Sequence, residues 1–96
     1  MHPAPKWRVS LQAALVWRTW AHESVVFNPR SGDTHLLNLV EREGLSSLEA
    51  APLDADELTT ELAHRLEIEP DDQLRRYAQN LIALLADLGL VETAGS

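Results

Sequence analysis

The feature that most constrains this chain is a change of character across Asn28-Pro29-Arg30-Ser31-Gly32-Asp33-Thr34. Before it, residues 6–28 are rich in valine and contain all three tryptophans. Such residues suit a pleated, half-buried surface better than a helix. After it, leucines recur at helical spacing up to Gly89. A chain of 96 residues has room for one ordinary domain. It must therefore place a small sheet and a set of helices around one core, an α+β arrangement with the helices on one side of an antiparallel sheet.

Strands are predicted over residues 6–10, 15–20 and 24–28. The connections 11–14 and 21–23 are short enough for antiparallel neighbours, giving a three-stranded meander. In the third of these strands Val25 and Phe27 share one side and Ser24, Val26 and Asn28 the other, the first side being the more apolar. A helix is predicted from Asp33 or Thr34, either of which can cap it, to about Ala50. Leu37, Val40, Gly44 and Leu48 form its stripe, and Leu36 widens it. Pro52 ends that helix. Asp54 with Glu57 is a capping-box start for a second helix marked by Leu58, Leu62 and Leu66. Glu69-Pro70-Asp71-Asp72 opens a third, with proline preset for the first turn. At about 100° per residue, Leu74, Leu81, Leu85 and Leu88 centre its apolar face. Tyr77 and Leu84 flank that face on one side, Ala78 and Ile82 on the other. Gly89 supplies the left-handed stop. The order of elements predicts a winged-helix-like close to the chain.

Charge and residue types narrow the function. The net charge is -7 and there is no cysteine. Beyond Ser31 four arginines face fourteen acids, a balance that repels a phosphate backbone. Nucleic acid is not an expected partner. No apolar run approaches the roughly 18 residues of a membrane span, and the start lacks a signal-peptide pattern. No membrane partner and a cytoplasmic location are therefore expected. His2, His22, His35 and His64 are scattered with no ligand spacing, and the serines form no nucleophile elbow. No catalytic residue, metal site or cofactor is expected, and the chain reads as a non-catalytic domain.

A three-stranded meander offers an edge. Its outer strands carry unpaired backbone N–H and C=O groups, to which a partner peptide can add as a further strand. The predicted third strand, with Val25, Val26 and Phe27, is the expected edge. The alternative use of these side chains is to fill the core. A free edge also permits a homodimer.

Trp17-Arg18-Thr19-Trp20, Ser24-Val25-Val26-Phe27-Asn28-Pro29, Ser31-Gly32-Asp33-Thr34-His35-Leu36-Leu37-Asn38 and the closing Leu85 to Glu92 together resemble the PqqD-like peptide chaperone family. Within it, they are most similar to the branch found beside HPr-kinase-related proteins. The resemblance spans nearly the whole chain, with residues 1–5 and 93–96 as flexible ends. It implies a recognition element that captures the leader of a precursor peptide and presents it to a partner modifying enzyme. The leader would join the sheet beside the third strand and pack on the third helix. On this sequence that places peptide binding at Ser24, Val25, Val26, Phe27 and Asn28, and at Arg75, Ala78, Gln79 and Ile82. Arg75 and Arg76 would meet acidic leader residues. The alternatives are a regulatory or scaffold subunit of an HPr-kinase-related protein, with Thr34 or His35 as phosphoryl acceptor, and a DNA-binding winged helix around Arg75 and Arg76. The family account leaves Thr34 and His35 without a role.

Overall fold

A computed structural model describes residues 4–10, 15–20, 23–29 and 31–94. Residues 1–3, 11–14, 21, 22, 30, 95 and 96 lie outside the described residues, and with them the two predicted strand connections in large part. The elements run β1 (Trp7–Val9), β2 (Val16–Trp20), β3 (Glu23–Asn28), β4 (Asp33–Leu37), α1 (Leu39–Ala50), α2 (Ala55–Leu66), α3 (Asp72–Asp87) and β5 (Val91–Thr93). A three-stranded antiparallel sheet and three helices make an α+β domain, as the sequence predicts.

The membership of that sheet differs from expectation. Its order is β2-β3-β4, whereas β1 pairs with β5 in a separate two-stranded ladder. Asp33 to Leu37, expected as the start of a helix, instead forms β4 and pairs antiparallel with β3, His35 opposite Val26. The turn explains this. Gly32 has φ 79°, its N–H donates to the Asn28 carbonyl at 2.8 Å, and the Ser31 hydroxyl accepts from the Asp33 N–H at 3.2 Å. The chain is thereby folded back onto β3, a conformation glycine adopts without strain. Helix α1 starts later, where Asn38 Oδ1 accepts from the Glu41 N–H at 2.8 Å and Glu41 Oε1 accepts from the Asn38 N–H at 2.9 Å. This reciprocal box outcompetes the caps expected at Asp33 and Thr34.

Each remaining helix boundary has a local cause. The box of Asp54 and Glu57 opens α2. Asp71 caps α3 through a 2.8 Å bond from the Leu74 N–H, so Pro70 sits just before the cap rather than in the first turn. At the far end Gly89 has φ 77°, with Gly89 N–H to Ala86 carbonyl at 3.0 Å and Leu90 N–H to Leu85 carbonyl at 2.9 Å. That pair of bonds is a Schellman motif, and Leu90 folds back fully buried.

The core joins Val26 and Leu37 of the sheet to Leu45, Leu48, Leu58, Leu62, Leu81, Leu85 and Leu90 of the helical layer. The buried side of β3 is the one carrying Ser24, Val26 and Asn28. This is the less apolar side, made tolerable by polar pairing: the Ser24 and Thr19 hydroxyls lie 3.2 Å apart. Phe27 on the other side is 37% exposed, so it is not a core residue. The closing strand reaches into the segment 93–96. Thr93 opposes Trp7 in the ladder, and the Ala94 N–H donates to the Lys6 carbonyl at 2.8 Å.

Candidate peptide-binding site

Because β3 is hydrogen-bonded to β2 on one side and β4 on the other, Ser24, Val25, Val26, Phe27 and Asn28 offer no strand edge. The expectation of strand addition beside them is corrected: it counted Trp7–Val9 into the sheet and missed β4. Among the described residues β4 has no strand on its outer side, which leaves a row of backbone groups without ladder partners. Leu36 on this strand is 64% exposed. Thr34 is exposed as well, whereas Nε2 of His35 is buried and has no hydrogen-bond partner among the described residues. A histidine whose Nε2 is inaccessible is poorly placed as a phosphoryl acceptor at that atom.

The two flanks of α3 have different fates. Ala78 and Ile82 are buried in the core, and Arg75 pairs with Asp56 of α2 at 2.7 Å. Gln79 and Ile82 line a shallow cleft with Trp7, Ala55 and Ala83. This flank therefore faces α2 and β1, away from the peptide edge first assigned to β3. The opposite flank presents Tyr77 and Leu84, both more than a third exposed. Burial, and secondarily the charge of Glu41, holds the Tyr77 phenol above its ordinary pKa.

Tyr77 also borders a largely apolar groove of about 550 Å³, lined by Val40, Leu66, Ile68, Glu69, Asp71, Gln73, Leu74 and Tyr77. It opens where α1 begins, Val40 lying shortly after the end of β4 at Leu37. Glu67, with φ 57° and ψ 44°, turns the chain at the end of α2, and the Ile68 N–H donates back to the Ala63 carbonyl at 3.0 Å. Ile68 is thereby left 51% exposed over the groove. Sequence reasoning missed this place because the left-handed turn is made by a glutamate rather than by glycine or asparagine.

A second, polar hollow of about 340 Å³ lies between β2 and the helices, lined by Trp17, Thr19, Arg42, Glu43, Ser46, Glu49 and Arg65. Its charges are spent on one another. Glu43 accepts from Arg42 at 2.9 Å and from Arg65 at 3.1 Å, Arg65 also reaches Glu61 at 3.0 Å, and Trp17 Nε1 donates to Glu49 at 3.2 Å. Partial burial works against ionisation of Glu43, but the hydrogen bonds from Arg65 and Arg42 more than offset it and hold the carboxyl below its ordinary value. No cluster of three or more His, Cys, Asp or Glu side chains among the described residues could hold a metal ion. Among the same residues, no helix is long and apolar enough to cross a membrane.

Comparison with known proteins places this geometry. The chain matches no family model and no curated protein. Among solved structures it is similar to TbiB1 in complex with the TbiA(beta) leader peptide, with a TM-score of 0.71 at 18% identity over 93% of this chain and 99% of that one. The likeness establishes a shared fold over nearly the full length of both chains.

Proposed function

We propose that this domain is a non-catalytic peptide-binding module which takes up a precursor leader peptide as an added strand along the outer edge of β4 and presents it to a modifying enzyme. The observation that carries the reading is the open edge of β4, flanked by exposed Leu36, in a fold shared with a protein solved in complex with a leader peptide. An added strand gains backbone hydrogen bonds irrespective of sequence, and side chains set selectivity. Tyr77 and Leu84 on the exposed flank of α3, rather than Arg75, Ala78, Gln79 and Ile82, supply the side-chain contacts in this reading. The PqqD-like resemblance of the Gly32 to Leu37 stretch supports it, since that stretch builds the hairpin turn and the edge strand itself.

Amide hydrogen exchange tests the reading directly. Synthetic leader segments encoded beside this chain's gene are titrated into the protein, and exchange is followed residue by residue. In a strand pair the backbone N–H groups point alternately toward and away from the partner. Binding is therefore expected to slow alternate amides within Asp33–Leu37 by about tenfold or more. Saturable binding with unchanged exchange throughout β4 would refute strand addition.

A further inference from the structure

We propose that the groove between the start of α1, the end of α2 and the first half of α3 selects a peptide segment whose apolar side chains are flanked by lysine or arginine. The inference rests on the reading of this domain as a peptide binder, and names the chemistry of the segment bound. It concerns a different surface from Arg75 and Arg76, which do not line this groove.

The floor of the groove is apolar, with Val40, Leu66, Leu74, Ile68 and Tyr77, and the last two are substantially exposed. An exposed cluster of large apolar side chains in a concavity favours an apolar anchor from a ligand. The rim decides the charge of that ligand. Glu69 and Asp71 line the groove, no lysine or arginine among the described residues does, and the charge of Glu41 is felt at Tyr77. Three nearby arginines are paired elsewhere, and Arg76 lines a different hollow with Asp72, Arg75 and Gln79. Arg42 is held by Glu43, Arg65 by Glu43 and Glu61, and Arg75 by Asp56. The positive end of α3 is not open to an anion either, because Asp71 takes the Leu74 N–H and Asp72 stands in the first turn. On a chain of net charge -7, a low-dielectric hollow rimmed by acids concentrates negative potential. A basic segment with an apolar anchor is the ligand that both the floor and the rim accept.

The test uses short fluorescein-labelled peptides carrying a leucine and a phenylalanine, flanked by lysines, by serines or by glutamates, and measures anisotropy against the full chain. The lysine-flanked peptide is expected to bind about tenfold more tightly than the serine-flanked one, and the glutamate-flanked one most weakly. The gap should close to about twofold when salt rises from roughly 50 to 500 mM. It should close likewise in the combined variant Glu41→Gln, Glu69→Gln and Asp71→Asn, whose amide side chains retain the cap acceptors. Ile68→Lys should abolish binding of the lysine-flanked peptide. Equal affinities, a preference for glutamate flanks, or no binding of the lysine-flanked peptide would overturn the inference. Exchange at β4 separates this result from strand addition. A lysine preference without protection of β4 removes strand addition and leaves the groove. Protection of β4 without charge preference does the reverse.

Discussion

Replacing Gly44 by alanine tests how α1 and α3, two of the three helices bordering the groove, are held at their present distance. A Cβ at Gly44 would lie 2.5 Å from Cδ2 of Leu81, 3.6 Å from its Cγ and 4.0 Å from Cδ2 of Leu62. Leu81 is only 3% exposed, so its methyl has no solvent to rotate into, and either its rotamer or the α1–α3 spacing must give. Overpacking of this sort costs about 1–3 kcal/mol. Alanine returns about 1 kcal/mol of helix propensity over glycine. The expected net effect is destabilisation by about 1 kcal/mol, a loss of roughly 4–8 °C in Tm for a domain of this size. Urea unfolding followed by circular dichroism measures it. A double-mutant cycle sharpens the result. Leu81→Ala alone should cost about 2–5 kcal/mol, and less by at least about 0.5 kcal/mol in the Gly44→Ala background, where the added methyl fills part of the void. If Gly44→Ala instead stabilised the protein by its full propensity gain, with no coupling to position 81, the close approach would not govern this contact.

Two further changes probe the local devices that set the site. Asn38→Ala removes the cap that ends β4 and starts α1, and should lower stability by about 0.5–2 kcal/mol in denaturant titrations, with Asn38→Asp close to neutral. Glu43, whose carboxyl is held below its ordinary pKa by Arg65 and Arg42 against the cost of partial burial, stabilises the fold fully above the ordinary carboxylate range, and loses that contribution as pH falls through its lowered folded value. Thermal melts between about pH 6 and 3 should therefore fall less steeply for Glu43→Gln than for the wild type, and parallel curves would contradict the assigned role.

The helical half of the fold was legible because its signals are local. Asp54 and Glu57 lie within one turn, the α3 stripe repeats over four turns, and Gly89 stands where the Schellman bonds form. The sheet was less so. Thr34-His35-Leu36-Leu37 shows no clean alternation, and its leucines also fit a helical stripe, so only the box of Asn38 and Glu41 marked the true helix start. The pairing of Trp7–Val9 with Val91–Thr93 joins segments at opposite ends of the chain, a choice no local pattern encodes. These two misplacements moved the candidate edge by one strand. The residues chosen on β3 are in mid-sheet, and those chosen on α3 face α2 and β1. What sequence did retain was the architecture and the amphipathic stripe of α3, one flank of which, Tyr77 and Leu84, is exposed.

The ladder between β1 and β5 bears on how the domain can be joined to other chains. Arg8 also pairs with Glu92 at 2.9 Å across the two strands, and the Lys6 carbonyl receives the Ala94 N–H. The polypeptide thus enters and leaves the folded unit at neighbouring points. A unit of this kind behaves as a plug-in cassette: it can be spliced into a surface loop of a host protein, or its two ends can be linked and the chain reopened elsewhere, without prying the entry and exit points apart.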